Sequence, residues 1–98
     1  MKGIINSWET VDGMYMVSFN DDLYAAAEAK IGSPVKGSWN VLPARILGIS
    51  YAEYLRYARD KYNGTLYGKG HKYPIVKFKN ENDCKALCKE LLLRWTRI

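Results

Sequence analysis

Residues 50–67 read SYAEYLRYARDKYNGTLY, and this stretch decides the fold. Ser50 followed by Glu53 is a capping box: the serine side chain accepts from an otherwise orphaned N–H of the first turn. Ile49 before the cap and Tyr54 inside it have the spacing of a hydrophobic staple. Tyr51, Tyr54, Leu55, Ala58 and Tyr62 then recur at helical spacing and make one apolar face, with Arg56, Arg59 and Asp60 off it. Asn63-Gly64 tolerates the left-handed conformation that ends helices. Thr65-Leu66-Tyr67 follows as the outgoing strand of a hairpin. A helix running straight into a hairpin, in a chain of 98 residues, points to a small α+β domain.

Outward from there, Ile75-Val76-Lys77-Phe78 reads as the returning strand, with Pro74 at its start because proline lacks a ladder donor. A second hairpin is expected near the N-terminus. Trp8–Val11 and Met14–Phe19 flank Asp12-Gly13, a turn pair that accepts positive φ. Its better core face is Tyr15, Val17 and Phe19. Asn20-Asp21-Asp22 caps a short alanine-rich helix that Gly32 and Pro34 end. Residues 35–42 read as a loop with a short strand around Trp39-Asn40-Val41, and Pro43 opens a helical turn to Leu47. The last helix places Cys84, Leu87, Cys88, Leu91, Leu92 and Trp95 on one stripe. The expectation is one α+β domain over 1–98. Hairpins at about 8–19 and 65–78 form a small antiparallel sheet, packed by helices at about 22–31, 50–62 and 81–96.

Composition bounds the function. A hydrophobic share of 48% and a charged share of 26% suit a globular chain. No apolar run approaches the ~20 residues that span a bilayer. Met1 to Asn6 turns polar too early for a secretory core, so the expected location is the cytoplasm. Cys84 and Cys88 stand four apart, which suits neither a disulfide nor a metal shell, and no metal or cofactor is expected. Net charge is +5, unevenly spread. Residues 1–49 carry Lys2, Lys30, Lys36 and Arg45 against five acids, net −1, whereas residues 50–98 carry eleven cations against five acids, net +6. Such asymmetry suits an anionic partner.

The cations coincide with tyrosines. Between positions 56 and 79 stand Arg56, Arg59, Lys61, Lys69, Lys72, Lys77 and Lys79 against Asp60 alone, interleaved with Tyr57, Tyr62, Tyr67 and Tyr73. Cations attract phosphates and tyrosine rings stack on bases. Helical phase assigns Tyr54 and Tyr62 to the core and leaves Tyr57 off the apolar face. The candidate phosphate- and base-binding residues are therefore Arg56, Tyr57, Arg59, Tyr67, Lys69, His71, Lys72, Tyr73 and Lys77. Trp39, beside Gly37 and Ser38, is a candidate anchor for a protein partner.

Catalysis has little support. His71, the sole histidine, sits in a turn with no orienting partner in sequence, and the acidic pairs Asp21-Asp22 and Glu81/Asp83 stand where helix caps are expected. The run Ile46-Leu47-Gly48-Ile49-Ser50 resembles the turn of a helix-turn-helix, with Arg56 and Arg59 on a recognition helix and Lys69, His71 and Lys72 at the tip of a wing. Its preceding helix, opened by Pro43, is shorter than that motif requires.

The stretch Leu47 to Arg56, continuing through Asp60-Lys61-Tyr62-Asn63-Gly64 to Tyr73-Pro74 and Phe78-Lys79-Asn80, resembles small bacteriophage and prophage proteins of low-GC Gram-positive bacteria. The quoted residues carry no motif of known chemistry, so the resemblance transfers no functional residue. It implies an accessory protein acting in a bacterial cytoplasm. The resulting expectation is a non-enzymatic binding protein whose basic, tyrosine-bearing face takes a phosphate-containing ligand. Nucleic acid comes first, and a nucleotide signal sequestered by a homo-oligomer second. The alternative is a protein–protein inhibitor of a host defence or nucleic-acid enzyme, and a winged helix-turn-helix DNA binder is third.

Overall fold

The structure is a computed structural model that describes residues 5–19, 28–29, 41–68, 70 and 74–97. In chain order it holds β1 (Ile5–Glu9), β2 (Tyr15–Phe19), α1 (Leu42–Leu47), α2 (Tyr51–Tyr62), β3 (Thr65–Tyr67), β4 (Ile75–Lys77) and α3 (Glu81–Arg97). The architecture is α+β: two antiparallel two-stranded sheets packed with three helices. The helix expected at 22–31 lies outside the described residues except for Glu28 and Ala29, which are helical.

The caps fall where the local chemistry puts them. Ser50 Oγ accepts from the Glu53 N–H at 3.1 Å. Asn63 closes α2 in the left-handed region (φ 58°), and the Gly64 N–H after it bonds to the Ala58 carbonyl at 3.1 Å. Gly48, at φ 72°, ends α1 in the same way. The Asn80 carboxamide accepts from the Asn82 N–H at 2.8 Å and opens α3. Gly64 is constrained differently: a Cβ there would stand 2.5 Å from Val76 Cγ2 and 3.1 Å from the Ala58 carbonyl oxygen. The chain leaves α2 pressed between the helix end and β4, with room for no side chain.

The first hairpin differs from its expected form. Glu9 pairs with Tyr15, so the connection spans five residues, Thr10 to Met14, and β1 lies earlier than Trp8–Val11. A two-residue turn at Asp12-Gly13 gives way because the Asp12 carboxylate is used as an acceptor. It takes the Thr10 hydroxyl, the Met14 N–H at 3.3 Å and the Lys77 ammonium at 2.9 Å. Those hydrogen bonds, led by Thr10, draw the Asp12 carboxyl down to about 2. Val41, expected to close a short strand, has φ −82° and ψ −15° and leads directly into α1.

The two sheets meet at one place. Tyr15 and Phe78 exchange both backbone hydrogen bonds at 2.8 Å. Lys77 reaching Asp12 and the Tyr67 hydroxyl donating to Met14 Sδ tie the same edges together. Behind this seam lies the core. Phe78, Leu42, Leu87, Leu91 and Cys84 are fully buried, joined by Trp95, Tyr54, Ala58 and Phe19. Each buried large side chain contributes about 1.5–3 kcal/mol. The α3 stripe is the apolar support of the first hairpin, the second hairpin packs against α2, and both cysteines belong to the α3 stripe as small free thiols. Among the described residues no helix is long and apolar enough to cross a membrane.

Candidate nucleic-acid interface

Apart from Tyr57, the expected surface residues divide into three groups. Lys69, His71, Lys72 and Tyr73, together with Trp39, lie outside the described residues. Arg56 and Arg59 stand exposed on α2, where Arg59 holds the Asp60 carboxylate at 2.8 Å. Tyr67 and Lys77 lie on the second hairpin, two rungs apart in register, and the Lys77 ammonium sits 5.2 Å from the Tyr67 ring centroid. These two are brought together, but both are engaged by the first hairpin through Asp12 and Met14.

Tyr57 departs most from its expected role. It is half-buried, and its hydroxyl donates to the Glu90 carboxylate, 2.7 Å from each oxygen. The Tyr62 hydroxyl donates to the same carboxylate. Tyr62 is thus core by its ring and polar at its tip. The Tyr57 and Tyr62 rings meet edge to face, with centroids 6.0 Å apart and planes at 71°. The Lys61 ammonium lies 5.1 Å from one ring centroid and 5.4 Å from the other. It donates to the Tyr57 oxygen at 2.9 Å and pairs with Glu90 at 3.4 Å. Arg94, one turn along α3, approaches Glu90 at 3.6 Å.

Glu90 is the hub. Its side chain is only 15% exposed. Burial alone would push its carboxyl up, but the hydroxyls of Tyr57 and Tyr62 and the Lys61 charge outweigh that and hold it below its ordinary value. Conversely, burial and then the neighbouring carboxylate push the Tyr62 hydroxyl up to about 12. Lys61 is held above its ordinary value, first by its hydrogen bond to Tyr57 and then by the Glu90 charge. At neutral pH Glu90 is an ionised carboxylate facing the neutral Tyr62 phenol and the Lys61 ammonium.

Around this hub runs an open groove between α2 and α3, lined by Lys61, Tyr62, Ala86, Lys89, Glu90, Leu93, Arg94 and Arg97. Four cations face one carboxylate there. Lys89 and Arg97 have no ion pair among the described residues, while Lys61 and Arg94 are shared with Glu90. Neither Lys89 nor the two arginines of α3 were expected site residues. Their signal was in the sequence: Ala86, Lys89-Glu90, Leu93-Arg94 and Arg97 recur every three to four positions, a second stripe beside the apolar one.

A separate groove is lined by Trp8, Thr10, Val11, Asp12, Met16, Ile75 and Lys77. Trp8 is 54% exposed there and Val11 is fully exposed at the turn. Among the described residues no group of three or more His, Cys, Asp or Glu side chains stands close enough to hold a metal ion.

Comparison with known proteins returned no match to any family model, curated protein or solved structure.

Proposed function

We propose that the chain is a binding protein without catalysis of its own, and that its α2–α3 groove takes the phosphates of a nucleic acid. The observation that carries this reading is the pairing of Lys89 and Arg97, two cations without ion-pair partners among the described residues, with Lys61 and Arg94 in one groove. A net charge of +5 adds long-range attraction for a polyanion. Arg56 and Arg59, exposed on α2 and outside the groove lining, add to that long-range attraction.

Titration of labelled nucleic acid between ~50 and ~200 mM salt tests it. With two to four phosphates neutralised, log K falls against log salt with a slope of about −2 to −4, since each contact releases condensed counterions. Absence of binding at the lower salt, or a flat salt response, refutes the reading.

A second reading rests on a different observation. Trp8, Val11, Met16 and Ile75 line a mostly apolar groove remote from that cation set. Exposed tryptophan in such a place suits an anchor for a protein partner, here a host enzyme that the chain would inhibit. Under this reading Trp8→Ser abolishes co-purification of one host protein and leaves nucleic-acid titrations unchanged. Retention of every co-purifying protein by the variant counts against it.

A further inference from the structure

Resting on the nucleic-acid reading, we infer that the α2–α3 groove binds the backbone of a duplex without regard to base sequence, and that single strands are its weaker ligand.

Binding of single strands depends on aromatic faces on which unpaired bases stack, at about 1–3 kcal/mol per base. The two tyrosines nearest the groove are already spent. Their rings pack edge to face on each other, the Lys61 ammonium sits at the hydroxyl end of the Tyr57 ring, and both hydroxyls are turned into Glu90. The exposed hydrophobe in the groove is Leu93, 52% exposed, which offers no π-face. What remains for a ligand is charge.

The helix backbone sets the spacing of that charge. Lys89, Arg94 and Arg97 project from α3, whose opposite stripe is buried through Leu87, Leu91 and Trp95. At 1.5 Å of rise per residue, Lys89 and Arg97 stand about 12 Å apart along the axis. A duplex presents one phosphate charge per ~1.7 Å of axis at fixed positions, whereas each strand alone presents one per ~3.4 Å. Cations spaced along one helix meet a denser, already ordered phosphate array on a duplex at the cost of ordering only their own side chains. A flexible strand has to be straightened to meet those cations, and no stacking offsets that loss.

Glu90 sharpens the preference. It places one fixed negative charge on the groove floor, braced by two phenols and only slightly exposed. A splayed base or a small phosphate monoester pressed to the floor meets that charge. A duplex bridging the rim contacts Lys89, Arg94 and Arg97 and stays above it.

The test is fluorescence anisotropy with the full chain, a labelled ~20-base-pair duplex, a second duplex of different base composition, and the matching single strand, all at ~50 mM salt. The expected result is on the order of tenfold tighter binding of either duplex than of the strand, with the two duplexes within about twofold of each other. Equal or tighter binding of the strand overturns this inference while leaving the nucleic-acid reading in place. A large difference between the duplexes overturns it as well, because it requires base contacts. Failure of all three probes to bind removes both readings together.

Discussion

Phe78→Ala lowers the unfolding free energy by about 3–5 kcal/mol, the range for truncating a fully buried aromatic side chain. For a domain of this size that is a large part of a total stability of roughly 5–15 kcal/mol. Phe78 is 0% exposed and stands where the two sheets meet. Its backbone exchanges two hydrogen bonds with Tyr15, and these do not depend on the side chain. The ring fills the core against which β2, β4 and α3 pack, so its loss leaves a cavity beneath the seam. Urea unfolding monitored by circular dichroism measures the effect as a fall in midpoint, with a melting temperature lower by at least ~12 °C. A change below about 1 kcal/mol would mean that the hairpins are not jointly supported by this core.

The second large effect is on binding. Lys89→Glu with Arg97→Glu turns the two cations without ion-pair partners in the groove into acids and leaves the Glu90 cluster untouched. Two phosphate contacts are lost, so nucleic-acid affinity at ~50 mM salt falls on the order of 100-fold and the salt slope shrinks by about 2. Arg56→Glu with Arg59→Glu makes the same change in net charge on the outer face of α2. It is expected to cost no more than about tenfold, through the long-range field alone. If the α2 pair weakens binding more than the α3 pair, the contact surface is the outer face of α2. Melting curves of both variants should match the parent, because all four side chains are exposed.

The sequence reading and the structure part company where chemistry becomes non-local. Ser50 with Glu53 and Asn63 were legible as caps because their bonds reach only a few residues along the chain. The buried stripe of α3 was legible because helical period fixes which residues share a side. The start of β1 was not, since the Asp12 carboxylate was recruited by Lys77, 65 positions away. The setting of Tyr57 is non-local for the same reason. Helical phase places it off the apolar face of its own helix, but it carries no information about the neighbour that covers its flank, and that neighbour is α3 with Glu90.

The groove joins these two kinds of information. The basic second half was visible as an excess of charge, and the stripe of Ala86, Lys89, Leu93, Arg94 and Arg97 was visible as a period. The sequence by itself determined the α+β class, the capped helices and the sign of the surface, because propensity, capping and net charge are local or additive properties. Only the tertiary structure decided which cations share a groove and which tyrosines are withdrawn into a carboxylate. The packing of α2 against α3 brings Tyr57 and Tyr62 within hydrogen-bond reach of Glu90, and a half-buried carboxylate takes the donors that fold around it.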